Sequence, residues 1–166
     1  MNNILVTGAG GLIGGIIIEK IRNNNFVGLD IVASKYPKTI ISDISDIEKL
    51  KNIMLSNRID TVVHLAAYPS VSDEWEIIRK NNIEGTRNVF DASRIAKVKK
   101  IVFASSNHAV GLYENDNPYK EIISGNYDNL EGNFDLIKSD CLVRPDSFYG
   151  ISKAFGENLG RYFHEK

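Results

Sequence analysis

Five short apolar runs recur along this chain, separated by longer segments with helical spacing, and that rhythm leaves few folds open. Ile4–Val6, Phe26–Leu29, Ile40–Ile41, Thr61–Ala66 and Ile101–Ala104 are continuous rather than alternating. A strand apolar on both faces is buried on both, the mark of a parallel sheet covered by helices on each side. The intervening segments supply the helices. Leu12–Asn23 carries Ile13, Ile16, Ile17 and Ile21 along one side, and Asp46–Leu55 carries Ile47, Leu50 and Met54. A long helix is expected over Glu74–Ala96, anchored by Ile77, Ile78, Ile83, Val89 and Phe90, and a last one over Tyr149–His164. With right-handed crossovers this is an α/β chain, a doubly wound parallel sheet or Rossmann fold. Trp75 and the Ile, Val and Phe stripes are expected in the core.

Leu112–Ser147 breaks the rhythm. It is rich in Asn, Asp and Gly and holds no sustained apolar period, apart from one expected short helix near Tyr119–Ile123. A connection this long inside a compact domain is usually a functional loop or poorly ordered. The 166 residues therefore read as one domain, 1–166, with 112–147 as a long insertion.

The balance of 20 basic and 21 acidic residues gives no reason to expect nucleic acid or an anionic membrane as a partner. No apolar stretch reaches the length of a membrane span and no signal peptide is visible, so a cytoplasmic location is expected. The one cysteine, Cys141, has no partner for an internal disulfide. No His, Cys and carboxylate spacing resembles a metal site.

The turn after the first run, Thr7-Gly8-Ala9-Gly10-Gly11-Leu12-Ile13-Gly14-Gly15, joins a strand to a helix. Glycines let backbone approach a pyrophosphate, and a helix N-terminus offers N–H groups and positive dipole. Strict G-x-G-x-x-G fails because Ile13 holds its last position; Gly8, Gly11 and Gly14 fit G-x-x-G-x-x-G. Asp30 ends the second run, 22 positions after Gly8. A carboxylate there accepts hydrogen bonds from ribose hydroxyls and repels a 2′-phosphate, which argues for NAD over NADP. Near the C-terminus, Tyr149 and Lys153 stand four apart, on one face of a helix. A phenol titrates near about pH 10 and is a poor base at neutral pH; an ammonium beside it favours the phenolate.

Taken together these residues resemble the extended short-chain dehydrogenase/reductase family, the NAD-dependent epimerase/dehydratase group. Beyond the glycine turn the match takes in Asp43-Ile44, His64-Leu65-Ala66-Ala67, Asn82 within Asn82-Ile83-Glu84-Gly85-Thr86, Ser105-Ser106, and the Tyr149/Lys153 pair, all in family order. The resemblance implies an NAD cofactor held by Gly8, Gly11, Leu12, Ile13, Gly14, Asp30, Asp43, Ile44, Leu65, Ala66, Ala67, Asn82, Tyr149 and Lys153. It implies catalysis by Ser106, Tyr149 and Lys153. Tyr149 takes a hydroxyl proton, Lys153 steadies the phenolate and the nicotinamide ribose, and Ser106 holds the reacting oxygen. His64 is expected to pack within its strand and His164 to be a solvated helix-end residue.

Phe103-Ala104-Ser105-Ser106-Asn107-His108 and Arg144-Pro145-Asp146-Ser147-Phe148-Tyr149-Gly150-Ile151-Ser152-Lys153 are more narrowly similar to uronate dehydrogenases, which oxidise the anomeric hydroxyl of a uronate to a lactone. By that likeness Ser106, Asn107, His108 and Tyr149 face a sugar or sugar acid, with Ser70 or Ser72 adding a contact. Two departures stand out. Ser106 and Tyr149 lie 43 positions apart, more than the family usually has, and the chain stops at Lys166, before the sixth strand and small C-terminal substrate lobe. A nucleotide-sugar epimerase or dehydratase, and a truncated NAD-binding module without turnover, are the alternative readings. The family's habit of pairing through the helices expected at Glu74–Ala96 and Tyr149–His164 implies a homo-oligomer, a dimer.

Overall fold

A computed structural model describes residues 2–21, 24–36, 38–71, 74–130 and 132–166. Strands β1 (Asn3–Thr7), β2 (Asn25–Asp30), β3 (Thr39–Ile41), β4 (Thr61–His64) and β5 (Lys100–Phe103) form one parallel sheet in the order β3-β2-β1-β4-β5. The order reverses between β1 and β4, and a doubly wound sheet opens its ligand crevice at such a reversal. Helices α1 (Leu12–Lys20), α2 (Ile47–Ser56), α3 (Trp75–Ile78), α4 (Gly85–Ile95) and α6 (Phe148–His164) flank the sheet, and α5 (Tyr119–Ser124) lies in the excursion between β5 and α6.

One face of the sheet packs Leu5, Leu29 and Val62 against Leu50, Ile53 and Met54 of α2 and Val89 and Ala92 of α4. The other packs Ile4, Val6 and Ala9 against Ile17 and Ile18 of α1. Register aligns Thr7, Leu29, His64 and Phe103 in one row across four strands. The residues after that row, Gly8, Asp30, Leu65 and Ala104, lie along the same edge of the sheet. One crevice therefore collects the functional loops.

Several expectations need correction. Most of the apolar stripe of α1 does not face the core: Ile13 is 61% exposed, with Ile16 and Ile21 also outward and Ile17 alone of the four packed on the sheet, while Gly14 and Gly15 are buried. The reason is steric. A Cβ on Gly14 would lie 2.3 Å from the Gly8 carbonyl oxygen, so the helix lies flush on the loop through its glycines. The helix ends at Lys20, and positions 22–23 lie outside the described residues. Trp75, 39% exposed, is not core; it leans on Phe148 at 5.3 Å between ring centroids, and its neighbour Ile77 is also outward. Residues 65–66 are not strand, because β4 ends at His64.

The long helix expected over Glu74–Ala96 is instead three segments, α3, a π-helical stretch Arg79–Glu84, and α4. The wide turn places Asn82 in the interior, and π-bulges of this kind gather at functional sites. The Asn82 side chain accepts from the Tyr68 N–H at 2.7 Å and donates to the Tyr68 carbonyl and the Ser152 hydroxyl.

Candidate active site

A cleft of about 720 Å³ runs along the C-terminal edge of the sheet, within the range of small-molecule sites. Its lining joins the turn 8–14, residues 29–32, 42–44 and 65–69, Ala104, Ser105, Tyr149 and Lys153. Each side chain reaches it for a local reason. Gly8 takes φ +74° where β1 turns, with the backbone that follows β4 so close that a Cβ would meet the Ala66 nitrogen at 2.9 Å. The α1 N-terminus carries no side-chain cap and no acidic residue in its first turn, so its N–H groups and dipole are offered to the cleft. Asp30 braces this turn. Its carboxylate accepts from the Gly10 N–H at 2.8 Å and the Val32 N–H at 3.2 Å, and still borders the cleft. Tyr36 donates to the Gly15 carbonyl at 2.5 Å, tying the segment after β2 over α1.

Beneath the cleft runs a buried relay. The Thr7 hydroxyl oxygen accepts from the Leu65 and Ala66 N–H groups, 3.2 Å each, so its own proton goes to His64 Nδ1 at 2.7 Å. His64 Nε2 then carries the ring proton and donates to the Thr86 hydroxyl at 3.1 Å. His64 packs in the sheet as expected. Burial, joined by the charge of Lys153, pushes its pKa down to about 3, so the ring is neutral. This relay holds the backbone of Leu65 and Ala66 in place.

Helix α6 is capped by Ser147, whose hydroxyl accepts from the Gly150 N–H at 3.0 Å. It carries Tyr149 and Lys153 into the same crevice. Gly156 lets the helix press against β5, since a Cβ there would lie 2.2 Å from the Phe103 ring. Lys153 is 4% exposed. Its ammonium donates to the Ala104 carbonyl at 2.8 Å and stands 5.4 Å from the Tyr149 ring centroid and 5.1 Å from that of Phe103. Burial pushes its pKa down to about 8.

The structure gathers Gly8, Gly11, Leu12, Ile13, Gly14, Asp30, Asp43, Ile44, Leu65, Ala66, Ala67, Tyr149 and Lys153 around one cleft. Asp43 also closes its own turn, accepting from the Ser45 N–H at 2.8 Å. Asn82 does not line the cleft. Its amide is occupied by Tyr68 and Ser152 and its neighbour Asn81 reaches the lining instead, so Asn82 joins the 65–69 segment to α6. Ser105 borders the cleft and donates to Glu157, whereas Ser106 lies one residue beyond. The Ser106 hydroxyl caps the turn Asn107–Ala109, accepting from the His108 N–H at 3.3 Å, and bonds the Asn107 amide oxygen at 3.3 Å. Ser70 follows Pro69 at the end of the lining segment, and Ser72 lies outside the described residues.

His108 is joined to Tyr149 by an edge-to-face ring contact at 5.7 Å and to Asp146 by a 2.7 Å hydrogen bond at Nδ1. Burial pushes the Asp146 carboxyl up, but hydrogen bonds from His108 and Ser147 outweigh it and hold the group below the usual carboxylate range. The Asp146–His108 pair spans 38 residues of irregular chain, and no local spacing announces it. Its route is visible in the structure: the excursion returns to its own start. Leu112 N–H bonds the Arg144 carbonyl, Arg144 N–H the Ala109 carbonyl, and Asp146 N–H the His108 carbonyl. Arg144 secures this base by pairing with Asp116 and lying 4.6 Å over the Tyr113 ring. The excursion otherwise carries α5 and two 3₁₀ turns, Gly111–Asn115 and Tyr127–Asn129, in line with the single short helix expected there.

A glycine turn at a helix N-terminus, a carboxylate ending β2 and a Tyr/Lys pair at the sheet's reversal point form one constellation. Residues 4–166 match the NAD dependent epimerase/dehydratase family. The chain belongs to that family. It is 35% identical to an NAD-dependent glucose-6-phosphate dehydrogenase of Haloferax volcanii, over 98% of this chain and 63% of that protein. It is 32% identical to an L-arabinose 1-dehydrogenase (NAD(P)(+)) of the same organism, over 100% and 63%. A solved structure described as a mutated uronate dehydrogenase superposes with a TM-score of 0.81 at 30% identity, over 99% of this chain and 55% of that one. The chain thus spans between about half and two-thirds of the length of these relatives. No helix among the described residues is long and apolar enough to cross a membrane.

Proposed function

We propose that this site binds NAD and oxidises a sugar hydroxyl, the anomeric hydroxyl of an aldose or uronate, to a lactone. The observation that carries the reading is the Tyr149/Lys153 pair. Lys153 is fixed to the end of β5 through Ala104, beside the glycine turn. The family's description names NAD, and the relatives' names point to sugar oxidation.

The residues present fit the cofactor. The uncapped α1 N-terminus and the turn 8–14 suit a pyrophosphate, Asp30 a pair of ribose hydroxyls, and the 42–44 segment an adenine. When bound, NAD accepts the hydride. Tyr149 takes the proton of the substrate hydroxyl; among the described residues nothing bonds its own hydroxyl. The Lys153 ammonium stands where it counters the charge of the phenolate. It is largely desolvated, so water screens little of that effect. His108, against the Tyr149 ring, and its chain neighbours Ser106 and Asn107 supply polar groups for the sugar ring, with Ser70 as a further contact in this reading.

The test is NADH formation by the purified chain on a panel of aldoses and uronates, with Tyr149→Phe alongside. Tyr149→Phe should lose about a hundredfold or more of turnover while binding NAD normally. Near-normal turnover in that variant would sink the assignment. NAD binding without turnover on any sugar would instead favour a cofactor-binding module.

A further inference from the structure

We propose that Asp146 is a positioning residue for the substrate, holding the His108 ring so that its Nε2 meets a sugar hydroxyl beside Tyr149. The inference rests on the sugar-oxidising reading and assigns Asp146 a role within it. The bond from His108 Nδ1 to the carboxylate is 2.7 Å long. An ionised carboxylate only accepts, so Nδ1 carries a proton and the ring is fixed in one tautomer and one orientation. Nε2 then has no partner among the described residues, while the ring edge lies against Tyr149. A hydroxyl suits that nitrogen in either state, donating to the neutral ring and accepting from the protonated one.

The pair is held from several sides. Asp146 also accepts from the Ser147 hydroxyl at 2.8 Å, and its N–H bonds the His108 carbonyl at 3.3 Å. Two glycines keep the space clear. A Cβ on Gly111 would lie 2.0 Å from the Asp146 carboxylate, and one on Gly150 would lie 2.2 Å from the His108 carbonyl oxygen. The excursion between β5 and α6 therefore delivers, at its last turn, the group that aims a residue at its first.

Three variants test this: Asp146→Ala, Asp146→Asn, which keeps an acceptor oxygen, and Gly111→Ala, which keeps the carboxylate but displaces it. Each is assayed for NADH formation against sugar concentration, with NAD affinity as control. Asp146→Ala and Gly111→Ala should raise KM for the sugar about tenfold, the worth of one charge-assisted hydrogen bond, with kcat and NAD affinity little changed. Asp146→Asn should recover most of the loss. The His108 ring nitrogens are read in parallel by NMR on ¹⁵N-labelled, NAD-saturated chain titrated with D-galacturonate and with D-glucose. Wild type should show the Nδ1–H form and a sugar-dependent shift at Nε2; Asp146→Ala should lose the first and weaken the second. An unchanged KM in Asp146→Ala, or no sugar-dependent shift at His108 with either sugar, overturns the proposal. A sugar-dependent shift without turnover supports this proposal while defeating the dehydrogenase reading, so the two fail separately.

Discussion

Replacing Lys153 by Met should abolish turnover and yet stabilise the fold at neutral pH. Lys153 is 4% exposed, and burial moves its pKa from the ordinary 10.5 to about 8. At about 1.4 kcal/mol per unit, holding the ammonium there costs the folded state about 3 kcal/mol wherever both states are charged. Met fills a similar volume without a charge. It leaves the Ala104 carbonyl without its 2.8 Å donor, a loss of about 1 kcal/mol. The variant should therefore be more stable by about 2 kcal/mol at pH 7. The sign can be followed with pH. Between about 8 and 10.5 the unfolded lysine binds a proton and the folded one does not, so wild-type stability rises across that window and the variant's advantage disappears. Denaturant unfolding of both proteins from pH 7 to 10.5 measures the difference, and groups common to both cancel. A difference that stays flat across the window would refute the reasoning. A variant destabilised at pH 7 with the same slope would mean only that the carbonyl was undervalued.

Other expectations follow from single contacts. Gly14→Ala would set a Cβ 2.3 Å from the Gly8 oxygen and 2.9 Å from the Ala9 Cα, so it should cost about 1–3 kcal/mol and weaken NAD binding, read by thermal shift with and without NAD. His64, with its pKa lowered from 6.5 to about 3, contributes stability that is present above pH 6.5 and lost as pH falls toward 3. About 2 kcal/mol of it should be gone by pH 5, and His64→Leu should remove that slope from acid unfolding curves. Asp30→Asn should raise the NAD concentration needed for half-maximal rate by about tenfold and improve NADP relative to NAD, measured by initial rates with each cofactor.

The parts of the molecule that obey local rules were legible in the sequence. Continuous runs such as Ile4–Val6 marked the sheet, and the spacing of Leu50 and Met54 gave α2 and its buried face. The Gly8–Gly14 turn and Asp30 were readable because a phosphate-binding turn has local chemistry. The failures have physical causes. The isoleucines of α1 look like one core stripe, but close packing through Gly14 turns Ile13, Ile16 and Ile21 outward and leaves Ile17 and Ile18 on the sheet. Asn82 sits in a motif that suggests ligand contact, but a π-helical turn, invisible to a 3.6-residue period, directs it to Tyr68 and Ser152. The Asp146–His108 pair was hidden because a hydrogen bond across an irregular excursion depends on where that excursion closes.

That closure changes how mutations in the excursion should be tolerated. Its two ends meet through backbone hydrogen bonds and the Arg144–Asp116 pair. Lengthening, shortening or replacing the residues between them adds little closure cost, because such cost grows only logarithmically with length. Drift in that segment should thus leave the cofactor cleft untouched. Changes at Gly111, Asp116, Arg144 or Asp146 would be felt at His108, so most of this irregular stretch can vary in sequence while the residues that close it cannot.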